Sequence, residues 1–260
     1  MSRTNIITLL TDFGLRDTYV AQMKAVVLGV NPLARLIDLT HGIAAGDIRE
    51  AAHALESACF LFPPGTVHLA VVDPGVGSAR APLALKAAGF LFVGPDNGIF
   101  TPALAADPEA RAFRLREDVG GRVFSATFHG RDIFAPAAAH LSLGRNIEEI
   151  GEFYAGCAVL PLARARHEEA AVVGEIRHVD HFGNLISNIT PQDLQGRVPK
   201  RIRVGSFCAT GILWTYSDVG PGECLALWGG SGRLEVSCRG ESAARRLGLG
   251  VGDAVVMETS

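Results

Sequence analysis

Short apolar runs that each end in a polar residue alternate with amphipathic stretches through the first half of the chain. The apolar runs are 6–11, 34–40, 66–73 and 90–96, and the amphipathic stretches between them are 18–30 and 47–62. Strand, helix and strand in repetition predict a mainly parallel sheet covered by helices, because a helical crossover returns the chain to the sheet in the same direction. Asp47 and Thr101-Pro102 supply helix starts, and Asn31-Pro32 and Pro63-Pro64-Gly65 supply stops. A further helix is predicted over 131–143, with Pro136 in its first turns, where a missing N–H is best tolerated.

Past about Leu160 the pattern changes. Residues 171–176, 201–209, 224–228, 234–238 and 254–258 are short, β-branched or alternating, and divided by Gly- and Pro-rich turns. That predicts a small β sandwich or barrel, with 161–169 as the linker. The expected fold is therefore an α/β N-terminal domain with a mainly parallel sheet, over 1–163, plus a smaller all-β C-terminal domain, over 170–260. The chain length of 260 residues agrees, at about 150 residues per domain.

Composition narrows the classes further. Hydrophobic residues make up 48% of the chain and charged residues 20%, with a net charge of -3, which excludes a disordered chain and gives no basic excess for nucleic acid. The five cysteines, Cys59, Cys157, Cys208, Cys224 and Cys238, are scattered and never form C-x-x-C, so they are expected to be buried, reduced thiols. No export signal or membrane span is read in the sequence, and a cytoplasmic setting is expected.

The chemistry is expected where the first-half strands end. Thr11-Asp12, Asp38, Asp73 and Asp96 follow one another along those ends, and ligands of open parallel sheets bind outside the carboxyl ends of the strands. Any one of these acids could instead cap a helix or shape a turn. The glycine turns beside them, 73–77 and 94–98, match neither the phosphate loop nor the dinucleotide fingerprint. A strand-end carboxylate without a phosphate cradle suits a ribose diol, since both hydroxyls can donate to it. His129, with Arg131 and Asp132 close by, could be a base, an orienter or a metal ligand. H-E-x-x-H is absent, and the run 229–233 breaks the G-x-S-x-G pattern at Arg233.

Seven motifs occur in order: T-D-F-G-x-x-D-x-Y-V-x-x-M-K from Thr11, D-L-T-H-G-I from Asp38, D-P-G-V-G-S-x-R from Asp73, G-P-D-N-G from Gly94, T-F-H-G-R-D-I-F-A-P from Thr127, D-H-F-G-N-L-I-S-N-I from Asp180 and Y-S-D-V-G from Tyr216. Together they resemble the S-adenosyl-L-methionine (SAM) hydroxide adenosyltransferases, relatives of the SAM-dependent chlorinase and fluorinase. The resemblance implies a hydrolase in which water or hydroxide attacks C5′ of SAM to give adenosine and L-methionine, with no cofactor and no metal. It implies Asp73, Arg80 and His129 as the residues that handle the nucleophile. Asp12 would accept the ribose diol, Asp17 and Asp180 would lie near the methionine end, and Thr127 and Phe128 would line the nucleoside. Phe182, Asn184 and Tyr216 would hold the adenine side. In the fluorinase-like branch the positions of Asp73 and His129 carry tyrosines and that of Gly130 a serine, so the residues here point to water, not halide. The resemblance also implies a homotrimer with its sites at subunit interfaces; no nucleic-acid or membrane partner is expected from the charge balance and the lack of a long apolar run.

One departure stands out. Where the family reads N-S-x-G-x-L-E, this chain has Gly229-Gly230-Ser231-Gly232-Arg233-Leu234-Glu235. Glycine at 230 removes the serine that would bind the methionine carboxylate, leaving Ser231, Arg233 or the backbone amides to substitute. A non-catalytic SAM or adenosine sensor and a chlorinase-like halogenase are the alternative readings within this resemblance. A metal-dependent phosphohydrolase using Asp12, Asp73, Asp96 and His129 is the alternative outside it.

Overall fold

The computed structural model describes residues 4–121 and 125–260, in two units, Met1–Leu160 and Pro161–Ser260. The first unit runs β1 (Ile6–Thr11), α1 (Tyr19–Val30), β2 (Arg35–Thr40), α2 (Ile48–Ala58), β3 (Val67–Val71), β4 (Pro82–Ala87), β5 (Phe90–Pro95), α3 (Thr101–Ala106), β6 (Arg111–Leu115), α4 (Ala135–Ser142), α5 (Ile147–Ile150) and β7 (Gly151–Tyr154). Among the described residues its strands form one sheet in the order β2-β1-β3-β5-β4-β6-β7.

The sheet is mixed, which corrects the expectation of a mainly parallel one. The pairs β2–β1, β1–β3 and β3–β5 are parallel, whereas β5–β4, β4–β6 and β6–β7 are antiparallel. The reversal starts at Ala88-Gly89, where φ values of 49° and 85° make the two-residue turn of a tight hairpin between β4 and β5. Ala88 is held in that conformation by donating its N–H to Asp107 Oδ2 at 2.7 Å. Alanine in place of the usual asparagine or aspartate hides this hairpin from sequence reading.

Alternation along β1 sorts the core into two faces. Ile7 and Leu9 pack with Met23 and Val27 of α1 and with the alanines of α4, whereas Leu10 packs with Ala51 and Leu55 of α2 and Ala103 of α3. Truncating one such buried leucine costs about 2–5 kcal/mol, through lost burial and the cavity left behind. The second face also buries a polar pair: Thr8 Oγ1 and His68 Nδ1 lie 2.7 Å apart on paired strands. Burial among Phe62, Phe90 and Phe92 pushes the His68 imidazole down to about 4.

The helix expected over 131–143 opens as a π-helical turn, Gly130–Phe134, before α4. Pro136 cannot donate to the Asp132 carbonyl, and the Ala135 N–H instead reaches back to Gly130 O. The wider turn follows from that missing donor.

The second unit contains β8 (Arg166–His167), β9 (Ala171–Val179), β10 (Leu185–Ser187), β11 (Pro199–Val204), β12 (Phe207–Thr210), β13 (Cys224–Trp228), β14 (Leu234–Cys238), α6 (Ala243–Leu247) and β15 (Ala254–Thr259). The antiparallel path is β12-β11-β15-β9-β10-β14-β13, with β8 on β9. Three expectations change here. The run 201–209 is not one strand but the hairpin β11–β12, turned at Gly205 with φ of 54°. The segment taken as a linker contributes β8, and α6 interrupts the all-β pattern, capped by Ser242 and ended at Gly248 in the left-handed region.

The cysteines also depart from expectation. Cys224 and Cys238 face each other across β13 and β14 and form a disulfide; Cys59 is buried, Cys157 half-buried and Cys208 exposed. Strand register, not spacing along the chain, brings the pair together. Among the described residues, no helix is long and apolar enough to cross a membrane.

Candidate active site

In the first unit, the turn that follows β3 doubles back on itself and brings Arg80 onto Asp73. The Asp73 carbonyl accepts the Val76 N–H and the Gly75 carbonyl accepts the Ser78 N–H, which winds 73–78 tightly. Gly77, at φ of 77°, passes so near Ala126 that a Cβ would lie 2.8 Å from its carbonyl oxygen. Arg80 then clasps the Asp73 carboxylate with both ends of its fork: Nε donates to Oδ1 at 2.9 Å and Nη2 donates to Oδ2. Both side chains are more than nine-tenths buried.

The same guanidinium holds His129. Arg80 Nη2 donates to His129 Nδ1 at 2.8 Å, and the Phe134 ring lies under the guanidinium, 5.2 Å from its carbon. A guanidinium has no acceptor, so His129 Nδ1 must accept, which puts the proton of the neutral ring on Nε2. Burial lowers the His129 pKa and the neighbouring Arg80 charge lowers it further, against a smaller opposite pull from Asp73. Arg80 Nη1 is buried with no acceptor among the described residues. Its two N–H groups are thereby left to a ligand.

The other acids at the strand ends are differently placed. Asp12 Oδ2 accepts the Gly46 N–H at 2.8 Å, and Asp96 holds Tyr154 Oη at 3.1 Å and the Ala158 N–H at 2.7 Å. Asp38 lies inside β2, not at its end, and pairs with Lys24 at 2.7 Å and His41 at 3.1 Å. The four carboxylates expected at one crevice each have partners of their own. Among the described residues, no group of three or more His, Cys, Asp or Glu side chains is arranged to hold a metal ion.

Thr127 and Phe128 line a cleft of about 430 Å³ together with Phe13, Tyr19, Gln22, Ser125 and Arg131. Phe13, Tyr19 and Phe128 meet edge to face at 5.4–5.8 Å. Asp17 is exposed, and neither it nor Asp12 lines this cleft. Sequence reasoning noted Asp132 beside His129 but gave it no role; its carboxylate takes the Ser125 N–H at 2.8 Å and both ends of Arg131, fixing the segment that leads into His129. Its signal was present as the acid three residues past His129.

In the second unit, a cavity of about 740 Å³ gathers all five residues assigned there: Asp180, Phe182, Asn184, Tyr216 and Ser231. Asp180 Oδ1 accepts from the Phe182 and Asn184 backbone N–H groups, and its Oδ2 from Asn184 Nδ2, all within 2.9 Å. These bonds close the turn that presents Phe182, whose ring is 73% exposed. Gly183, at φ of 84°, permits that turn and packs on Ser242. Sequence reasoning missed Glu235, a buried acid in the same cavity. Tyr216 Oη donates to its Oε1 at 2.8 Å and Ser237 Oγ donates to the same atom at 2.7 Å. Burial and then this bond push the Tyr216 phenol up to about 12. At the departure point, Gly230 has a negative φ and no atom within 4 Å of where a Cβ would stand.

Comparison with known proteins identifies the family. Residues 7–151 match the SAM hydroxide adenosyltransferase N-terminal domain and residues 174–256 the C-terminal domain of the same family. A protein of Salinispora tropica named (R)-S-adenosyl-L-methionine hydrolase is 41% identical over 258 residues, covering 97% of each chain. One of the same name from Thermus thermophilus is 42% identical, covering 92% of this chain and 94% of its own. The solved structure of an uncharacterized conserved protein from Thermotoga maritima superposes with a TM-score of 0.89 at 36% identity, over 96% of this chain and 99% of its own.

Proposed function

This chain belongs to the SAM hydroxide adenosyltransferase family, and from that premise we propose that it hydrolyses S-adenosyl-L-methionine to adenosine and L-methionine. The observation that carries the reading is the single buried guanidinium that joins Asp73 to His129. The sulfonium leaves C5′ as a neutral thioether and needs no general acid, so the protein has only to deliver an oxygen nucleophile in line with the C5′–S bond. Hydroxide and the sulfonium cation then give adenosine and zwitterionic methionine, neither with a net charge; if water attacks, one proton is released.

Asp73 is assigned as the acceptor of that proton. Arg80 offers Nη1 to the oxygen, which gains negative charge as its proton leaves for Asp73 and gives that charge up as the bond to C5′ forms, and His129, neutral with its proton on Nε2, positions the oxygen by donating to it. Of the roles left open for His129 by its sequence, base, orienter or metal ligand, this reading takes orienter, because its Nδ1 is already occupied by Arg80. Asp12 is proposed for the ribose diol, Asp17 for the methionine end, and Thr127 and Phe128 for the nucleoside. Phe182, Asn184 and Tyr216 are proposed to hold adenine. Ser231 is the proposed partner of the methionine carboxylate. Asp180 helps chiefly by building the turn that carries Phe182 and Asn184.

We propose a homotrimer with sites at subunit interfaces, working in the cytoplasm. At SAM well below KM, where Phe182→Ala is slow and Asp73→Ala inactive, oligomers mixed from the two proteins should then turn over faster than the sum of the separate proteins; no such gain would exclude shared sites. Halide use is disfavoured by the Asp73 carboxylate. A serine at Gly130 would also bring its Cβ within 3.3 Å of Met23 Sδ and Phe128 Cε2. The sensor reading gains from the open space at Gly230.

The deciding experiment incubates the protein with SAM in chelator-treated buffer containing ¹⁸O-labelled water and separates the products. Adenosine carrying label at the 5′ oxygen, with methionine, is expected. Tight SAM binding without adenosine would leave the sensor. With His129 below its ordinary value of about 6.5, its neutral form persists into mild acid. The acid limb of kcat/KM should therefore lie below pH 6.5, and a limb above that value would contradict the His129 assignment.

A further inference from the structure

The cavity of the second unit contains a buried carboxylate that the reaction itself does not require. Glu235 is 4% exposed and stands on β14, and its two hydrogen bonds come from neutral hydroxyls, those of Tyr216 and Ser237. Burying a carboxylate is costly, and an apolar side chain of similar volume would pack at such a position at lower cost. The surrounding backbone is shaped around it: a Cβ at Gly229 would collide with the Glu235 carboxylate. Ser237 Oγ lies on the same oxygen as Tyr216 Oη, so that oxygen is turned towards the phenol by a second donor. Tyr216, meanwhile, sits on an irregular segment, a single 3₁₀ turn (Tyr216–Asp218) held by a Thr215–Asp218 capping box. Its ring is 44% exposed and lines the cavity. Without a bond at its far end, a half-exposed ring on such a turn keeps its rotamer freedom.

We propose that Glu235 is a positioning residue for substrate recognition, holding the Tyr216 ring by its hydroxyl so that one aromatic face is fixed for stacking on the base of the adenosyl ligand. The proposal rests on the assignment of Tyr216 to the adenine side. The benefit is entropic: a ring already immobilised loses less freedom when the ligand binds. The effect belongs to binding and not to the C5′ chemistry, so it should enter KM and adenosine affinity while leaving kcat in place.

The test uses Tyr216→Phe, Glu235→Leu, Glu235→Gln and the double variant Tyr216→Phe/Glu235→Leu in the full chain. SAM kinetics and adenosine binding by calorimetry are the readouts. Tyr216→Phe keeps the ring and loses the bond, and should raise KM and weaken adenosine roughly tenfold with kcat within about twofold. Glu235→Leu should do the same, and the double variant should be no worse than either single one, because both remove one interaction. Glu235→Gln keeps an acceptor oxygen and should stay within about threefold of the parent. Spectrophotometric titration of the phenols gives a reading independent of activity. The Tyr216 transition near 12 should move down towards the ordinary value of about 10 in Glu235→Gln. Should Glu235→Leu fail to fold, Tyr216→Phe and Glu235→Gln still decide.

A silent Tyr216→Phe beside a strongly weakened Glu235→Gln would overturn the proposal, making Glu235 a direct ligand acceptor. Additive losses in the double variant would overturn it as well. If Tyr216→Ala leaves KM and adenosine affinity unchanged, the base-stacking assignment itself fails and takes the proposal with it. If Tyr216→Ala weakens binding and Tyr216→Phe does not, the proposal alone fails.

Discussion

The two units solve opposite problems with the same residue types. In the first, Asp73 and His129 are both bonded to the buried Arg80, so the directions of all three side chains are set before any ligand arrives. In the second, Phe182, Tyr216 and Ser231 stand exposed around an open cavity, and the acids there, Asp180 and Glu235, are occupied in holding a turn and a ring. On the proposed assignment Asp73 of the first unit acts on a nucleophile, whereas Asp180 and Glu235 of the second shape a surface. Chemistry on a developing charge gains from dipoles that need no reorganisation, while recognition of a flat base gains from aromatic area.

The sharpest way to break this contrast is Arg80→Ala. Turnover should fall by about a thousandfold or more with adenosine affinity within a few fold, as expected for a group that serves the chemical step and not the binding of the adenosyl half. Leaving Asp73 buried without its cation should also destabilise the protein by about 3 kcal/mol in denaturant titration. Near-parent turnover would show the buried cluster to be a brace and nothing more.

Acid should separate the units next. The His68 imidazole, at about 4 when folded against about 6.5 unfolded, takes up a proton on unfolding throughout that interval. Stability contributed by the neutral ring is complete above pH 6.5 and declines as pH falls towards 4, by up to about 3 kcal/mol. Hydrogen exchange at pH 5 should show the β1–β3 amides losing protection relative to pH 7 by more than the β13–β14 amides do. His68→Leu should flatten that difference, and equal losses in the two units would refute it.

Phe182→Ala tests the binding half. Removing an exposed ring should raise KM about tenfold, with kcat within twofold and no measurable loss of stability. A large fall in kcat would erase the division of labour between the units. The smallest effect is expected from Gly230→Ser. The site has room and an ordinary φ, so the variant should fold unchanged and lower KM for SAM by a few fold, leaving adenosine affinity as it was. A higher KM would mean that the open space at this turn serves the ligand.

Much of this was legible in the chain itself. The parallel strands β1, β2, β3 and β5 and the helices α1 and α2 follow from apolar runs and their caps, because burial of one face imposes a period that a sequence displays directly. The association of Asp73 with Arg80 was readable too, since a turn of Gly75 and Gly77 lies between them and the two are seven residues apart. Less legible were β4, β6 and β7, where short strands depend on pairing partners, and the hairpin at Ala88-Gly89, whose alanine adopts a conformation usually left to glycine or asparagine. The Cys224–Cys238 bond and the Glu235–Tyr216 bond were not readable, as both depend on cross-strand register or on a loop folding over a strand.

By itself the sequence determined the residue types for the proposed chemistry, the order of the motifs, and the family to which they belong. Only the tertiary structure decided which acids are available. Asp96 is committed to neighbours far along the chain, Asp38 to Lys24 and His41, Asp180 to its own turn, and Asp73 to a guanidinium that also fixes the tautomer of His129. The reason is physical: an ionisable side chain takes its role from burial and from its partners, and those are set by distances that exist only once the chain is folded.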